Sequence, residues 1–329
     1  MLDFEKPEFV ETNGVTLPVY RAGPALVDTK KPPVFFLHGF PELAYSWRAQ
    51  MEALGRAGYP VFAPDQRGFG KASKPDGREN YRMAHLTADL VGLLDYYNIE
   101  DAVFVGHDWG ALVLWSMPFY CGNRVKGYAG LNVPLTRHYP VDPITMMRNK
   151  LGENMYIVRF QEEGACEPIL EANVRDTFRF FMRKPKFAQQ KAPSVSFNEK
   201  NLDLLALLQR GEAAWGGELL LSETDMQVYS EAYAAGGFTA PLHWYRNMTE
   251  NWQAQHAFLV DGTLPKVEKP CLMITADLDR ACPPKLSDGM EKMCTHYTRV
   301  DLKGCGHWSQ QEQPEAVNRI MLKWLADNF

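Results

Sequence analysis

The stretch Val105-Gly106-His107-Asp108-Trp109-Gly110 constrains this chain more than any other. Ala102 to Val105 reads as a short buried strand, and Ala111 to Tyr120 as an apolar helix. Between them Gly106 and Gly110 bracket Asp108, so strand must become helix within a turn too tight for a Cβ on either side. Such a turn lifts its central side chain clear of the sheet end. It also leaves the next backbone N–H at a helix N-terminus, where it can stabilise an oxyanion. This is the strand–turn–helix arrangement that presents a nucleophile, with Asp where Ser is more usual. Taken alone, Gly-x-Asp-x-Gly reads equally well as an ordinary surface loop with an Asp N-cap, and the rest of the chain has to decide.

Before this turn the pattern alternates strand and helix. Phe9–Thr12 and Val15–Tyr20 flank Asn13-Gly14, the dipeptide of a type I′ hairpin. Pro33 to Leu37 is a continuous apolar strand, fit for burial on both faces, that ends in His38-Gly39-Phe40-Pro41-Glu42. A helix over Tyr45–Ala57, a strand over Tyr59–Ala63 and an amphipathic helix over Tyr81–Tyr97 follow. Asp65 to Gly70 is glycine-rich but lacks any phosphate-loop spacing and reads as a turn. After a strand over Val125–Leu131 the alternation stops, and Thr136 to Lys269 is mainly helical with no good strand. Its main segments are Met155–Gln161, Asn173–Met182, Leu202–Leu208 and Glu223–Ala235, the last capped by Ser222 with Asp225 and ended by Gly236-Gly237. Alternation resumes with strands over Pro270–Ala276 and Thr298–Leu302 and helices over Lys285–Met293 and Pro314–Asn328. The pattern predicts an α/β protein with a helical insertion. Ligands of such sheets bind beyond the carboxyl ends of the strands, so an insertion entering there forms a lid.

A chain of 329 residues with 46% hydrophobic and 12% aromatic content can bury a large core. The formal charge of −5 is spread along the sequence. It forms no basic stripe for nucleic acid and no polybasic segment for a membrane surface. No stretch has the length of a membrane span, and the N-terminus lacks the basic start and apolar run of a secretory signal. Six cysteines lie scattered without Cys-x-x-Cys spacing and read as buried thiols, and the expected location is cytoplasmic.

A carboxylate nucleophile needs a base to regenerate it, a group to orient that base, and oxyanion donors. The last strand runs into Gly304-Cys305-Gly306-His307-Trp308, which sets His307 on a glycine-flanked loop. Alone, His307 reads as a surface or structural histidine. Behind an elbow and an acid, in the order nucleophile, acid, histidine, it reads as the base. The preceding strand ends in Ala276-Asp277-Leu278-Asp279, where either Asp277 or Asp279 can orient it. At the end of the first buried strand, Gly39 permits close backbone approach, and a cis bond at Pro41 would turn the Phe40 N–H inward. Phe40 and Trp109 then supply the oxyanion pair.

With these residues assembled, the chain resembles an epoxide hydrolase of the α/β-hydrolase superfamily, of the soluble, Asp-nucleophile type. The resemblance rests on His38-Gly39-Phe40-Pro41-Glu42, Gly106-His107-Asp108-Trp109-Gly110 and Gly306-His307-Trp308. It extends to two lid stretches, Tyr156 to Gln161 and Pro241 to Asn247, and covers the chain from about Asn13 onward. It implies an α/β-hydrolase fold: a mostly parallel sheet flanked by helices, with a helical cap inserted after the sixth strand. Residues 1–135 and 270–329 would form the core and 136–269 the cap. It also implies Asp108 as nucleophile, His307 as base, Asp279 rather than Asp277 as the orienting acid, and Tyr156 and Tyr245 as the lid tyrosines. The separate phosphatase domain of some vertebrate members is not matched, so that second activity is not implied.

The tyrosines make chemical sense, because ring opening turns the epoxide oxygen into an alkoxide that needs hydrogen bonds and then a proton. The expected reaction is hydrolysis of a small apolar epoxide by water to a vicinal diol through an ester on Asp108, with neither metal nor organic cofactor. The alternative is a haloalkane or haloacid dehalogenase using the same ester chemistry. Trp109 and Ala111, however, stand where a haloacid enzyme would carry arginine. A non-catalytic ligand receptor on this fold would not need all of Asp108, His307 and Asp279. A homodimer is compatible with the sequence but not readable from it.

Overall fold

The computed structural model describes residues 3–185 and 203–329. Ten strands occur among them: β1 (Glu8–Thr12), β2 (Val15–Ala22), β3 (Val34–Leu37), β4 (Val61–Pro64), β5 (Ala102–His107), β6 (Val125–Leu131), β7 (Arg183–Lys184), β8 (Glu218–Leu219), β9 (Val267–Ala276) and β10 (Cys294–Leu302). Eight of them form one sheet in the order β1-β2-β4-β3-β5-β6-β9-β10. β1–β2 and β2–β4 pair antiparallel, and every other pair is parallel. Asn13 and Gly14 at the β1–β2 turn have φ of 46° and 75°, the positive values that a type I′ turn requires.

β3, β4 and β5 are buried along their whole length. They can be, because helices cover both faces of the sheet. One apolar cluster lies under α2 (Met83–Tyr96) and α3 (Trp109–Cys121), and includes Phe35, Phe62 and Phe104. The other, around Trp47, Val103, Ile274 and Trp324, lies under the helices Arg48–Arg56 and Pro314–Asn328. With both faces sealed, the carboxyl ends of β3, β5, β6, β9 and β10 are left to carry the site.

Between β6 and β9 the chain leaves the sheet for a run of helices, including α4 (Pro143–Leu151), α5 (Tyr156–Arg159), α6 (Glu167–Glu171), α7 (Val174–Phe181), α8 (Leu204–Gln209), α9 (Glu223–Gly236), α10 (Thr239–Arg246) and α11 (Met248–Ala254). Leu202, the expected start of α8, lies outside the described residues. The Ser222–Asp225 capping box forms as expected, with Gly237 at φ +70° closing α9. This region holds the two-residue strands β7 and β8, paired antiparallel, where the sequence offered none. Arg246 and Glu167, 2.7 Å apart and both buried, lock α10 to α6.

Two other readings need correction. The strand expected from Pro270 begins at Val267. Pro270, which has no N–H to donate, stands beside the register shift between Cys294 and His296. The helix expected over Lys285–Met293 is instead two 3₁₀ turns, Pro284–Ser287 and Met290–Lys292. Asp288 is extended and Gly289 is left-handed (φ +92°) between them, which breaks helical propagation despite the apolar spacing.

Candidate active site

Asp108 occupies the turn between β5 and α3 with φ 50° and ψ −120°, a conformation a non-glycine residue holds only when its surroundings enforce it. The glycines explain how. A Cβ on Gly106 would lie 2.4 Å from the Gly110 carbonyl oxygen, and one on Gly110 would lie 2.0 Å from the Leu37 carbonyl oxygen. Asp108 stands at the N-cap position of α3, yet its side chain makes no cap hydrogen bond. The capping explanation therefore fails, and the carboxylate is free for other partners.

Those partners come from three strand ends. After β3, the Phe40 N–H donates to Asp108 Oδ1 at 2.9 Å, and the Phe40–Pro41 peptide is cis. After β10, His307 Nε2 lies 3.5 Å from Asp108 Oδ2. After β9, Asp279 Oδ2 lies 2.9 Å from His307 Nδ1. The Trp109 N–H sits in the first turn of α3, where amides have no helical acceptor. Asp108 and His307 side chains each keep 17% exposure while that of Asp279 is fully buried, so the first two are reachable and the third is sealed behind them.

Asp277, the competing acid, is one-third exposed and turned to Lys303 and to the Cys305 N–H, away from the imidazole. Asp279 instead accepts from the Ala281 and Cys282 N–H groups on Oδ1 and from Asn132 on Oδ2. Burial alone would raise its carboxyl, but the charge and hydrogen bond of His307, with these donors, hold it down to about 2. Burial would likewise raise Asp108, and His307, His107 and the Phe40 N–H outweigh it to lower it. His307 moves the other way. Burial would lower it, but Asp279 and Asp108 raise it well above an ordinary histidine.

Several residues with no assigned role in the sequence hold this arrangement. Glu312 accepts the N–H groups of Gly306 (2.8 Å) and Trp308 (3.0 Å), clamping the chain on both sides of His307. His107, wholly buried, has Nδ1 2.7 Å from Glu42 Oε2 and Nε2 2.8 Å from the His307 carbonyl oxygen. An oxygen therefore faces each ring nitrogen, which fixes the ring between the two loops. Glu42 also receives the Gly39 N–H and Gln310, tying the Phe40 loop to the His307 loop. Asn132, just after β6 at φ 65°, bridges Asp279 and Ser309. The only sequence hint for it was an asparagine following a buried strand.

From above, α5 and α10 bring in Tyr156 and Tyr245, with ring centroids 6.4 Å apart. The Tyr245 ring stands edge-on to Phe40 (5.4 Å), Trp109 (4.8 Å) and Phe160 (5.1 Å), so it is seated on both residues of the expected oxyanion pair. Burial and the Asp108 charge raise both phenols, keeping them protonated. Gln161 donates to the carbonyls of Ile157 (2.9 Å) and Tyr245 (3.1 Å), and Arg246 donates to that of Phe160, coupling the two tyrosine-bearing helices. Of the apolar cap residues, Phe178 packs on Tyr229 and Phe180 on Trp215, holding the insertion together. Phe181 reaches Phe40, and its carbonyl accepts from the Trp308 indole.

The α/β-hydrolase fold family matches residues 32–314. Epoxide hydrolase A of Mycobacterium tuberculosis is 38% identical, with 96% of each chain covered. Bifunctional epoxide hydrolase 2 of Sus scrofa is 37% identical over 89% of this chain, which spans 51% of that longer protein. The crystal structure of epoxide hydrolase A from Mycobacterium thermoresistibile matches with a TM-score of 0.82 at 35% identity, covering 98% of both chains. Among the described residues no helix is long and apolar enough to cross a membrane.

Proposed function

The chain belongs to the α/β-hydrolase fold family and, within it, to the epoxide hydrolases, and on that premise we propose how its own residues divide the reaction. Asp108 Oδ2 attacks a ring carbon of the epoxide. The C–O bond breaks toward the oxygen, which takes a proton from Tyr156 or Tyr245, leaving a hydroxyalkyl ester on Asp108. Esterification removes one of the two negative charges that hold the proton on His307, so that proton returns to the tyrosinate. Neutral His307, oriented by Asp279, then takes a proton from water as the oxygen attacks Cγ of Asp108. The negative charge develops on Oδ1, against the Phe40 and Trp109 N–H groups. Collapse breaks the bond from Cγ to Oδ2, and the departing alkoxide takes the proton of the new carboxylic acid. The diol leaves carrying Oδ2, while the Asp108 carboxylate and protonated His307 are restored.

The observation that carries this reading is the line Asp279–His307–Asp108 with contacts of 2.9 and 3.5 Å, opposed by the Phe40 N–H. Residues 136–269 act in it as a cap that supplies the phenols and shields the ester. The free state of all six cysteines agrees with a reducing, cytoplasmic setting. A single turnover in heavy-oxygen water tests the reading. Label should enter the Asp108 carboxylate while the first diol carries unlabelled oxygen. Label appearing directly in that diol would mean that water attacks the epoxide and no ester forms.

A further inference from the structure

Cys282 lies on the loop after β9, three residues beyond Asp279, and its N–H donates to Asp279 Oδ1 at 2.9 Å. Its side chain is partly exposed, like that of His307. The reaction proposed above gives it no task. Yet Cys282 Sγ, a ring nitrogen of His307 and a carboxylate oxygen of Asp279 all lie within 4.8 Å of one another.

We propose that Cys282, His307 and Asp279 form an inhibitory binding site for a borderline-soft divalent cation, with Zn2+ as the representative ion. Thiolate, imidazole and carboxylate are the donor types such a cation selects. Tetrahedral coordination at ordinary Zn–S, Zn–N and Zn–O lengths sets donors about 3.4–3.6 Å apart. The His307–Asp279 contact of 2.9 Å has to open by only about half an ångström to match, and the other separations, none above 4.8 Å, have to close by at most about 1.4 Å. Asp279 is already held by two backbone N–H groups and Asn132, so one donor is fixed before the cation arrives. Asp108 lies at the other ring nitrogen, 3.5 Å from His307 Nε2, and its negative charge adds to the field that favours a dication nearby. Three protein donors leave a fourth position for water on the side open to solvent. Mg2+ and Ca2+, which prefer all-oxygen sites, should not bind.

A cation so placed engages the imidazole and its orienting carboxylate together. The inhibitory consequence rests on His307 being the base; cation binding itself does not. The test therefore reads both. Whole enzyme is titrated with Co2+ and followed by thiolate-to-cobalt charge-transfer absorption, and turnover is measured with Zn2+, then after adding a chelator. Cys282→Ala and Cys282→Ser are run alongside, each normalised to its own metal-free rate. The proposal expects a charge-transfer band, chelator-reversible inhibition by Zn2+ but not Mg2+, and loss of the band in both variants. It also expects the Zn2+ needed for half-inhibition to rise about ten- to a hundredfold or more in both. Zn2+ inhibition of equal strength in wild type and variants, or no charge-transfer band in wild type, overturns it. A band that needs Cys282 but accompanies undiminished turnover upholds the cation site and counts against His307 as the base.

Discussion

The Phe40 N–H donates a 2.9 Å hydrogen bond to Oδ1 of Asp108, so the two carboxylate oxygens differ before any substrate arrives. In the proposed reaction negative charge develops on Oδ1 at the ester carbonyl, while Oδ2 faces His307. Attack by Oδ2 leaves Oδ1 already seated, and no reorganisation of the amide is needed between the two steps.

The first prediction follows from that division of labour. On the proposed mechanism His307→Gln removes the base of the second step and leaves Asp108 in place, so it should form the ester and stop there. Intact-protein mass spectrometry after mixing with an epoxide should show an increase of one substrate mass on Asp108. An unmodified protein that demonstrably binds substrate would remove His307 from the second step alone.

In the proposed reaction the two phenols share the proton delivery. Tyr156→Phe and Tyr245→Phe should each slow ester formation by about tenfold to a thousandfold, and the double variant should nearly abolish it. Rapid-quench measurement of ester build-up checks this, while hydrolysis of ester already formed should change far less. Near wild-type ring opening in the double variant would place the acid elsewhere.

The pH behaviour of His307 gives a third expectation. Burial opposes its protonation, and the Asp279 and Asp108 carboxylates overcome that and raise it. Asp108→Asn removes one of those charges and should lower the His307 pKa, read by NMR titration of the imidazole. The stability consequence has a definite sign. A raised histidine stabilises the fold fully below its unfolded value of about 6.5 and loses that contribution as pH climbs through its folded value. Asp108→Asn should therefore shrink the alkaline end of the His307 contribution. Asp279, held down to about 2, contributes above the unfolded carboxylate value and loses its share only as pH falls toward 2. An unchanged imidazole titration in Asp108→Asn would show that the two groups are not coupled.

Gln161 offers a fourth test, because it touches neither nucleophile nor base. Its amide joins Ile157, beside Tyr156, to the backbone of Tyr245. Gln161→Met removes both hydrogen bonds, while Arg246 still ties α10 to Phe160 and to Glu167. Ester formation should slow by about tenfold as the phenols lose registration, with ester hydrolysis unchanged. A loss shared equally by both steps would mean that Gln161 acts on the fold at large.

What the sequence determined by itself is what short-range geometry encodes. Glycines at 106 and 110 permit the strand-to-helix turn with Asp108 at its tip, and Asn13-Gly14 favours the hairpin observed. Strand ends and chain order pointed to Asp108, to His307 and to Asp277 or Asp279, whereas Tyr156 and Tyr245 came only through resemblance to a family, since nothing local distinguishes a lid tyrosine from a core one. Spacing left Asp277 and Asp279 open. The folded loop separates them, burying Asp279 against His307 and turning Asp277 toward Lys303. The region after β9 was misread as a helix because apolar periodicity is blind to one left-handed glycine. Glu42 with His107 and Gln161 with Tyr245 were invisible for a further reason. Their hydrogen bonds close across 65 and 84 residues of chain, so their partners exist only once distant strand ends and cap helices have been brought together.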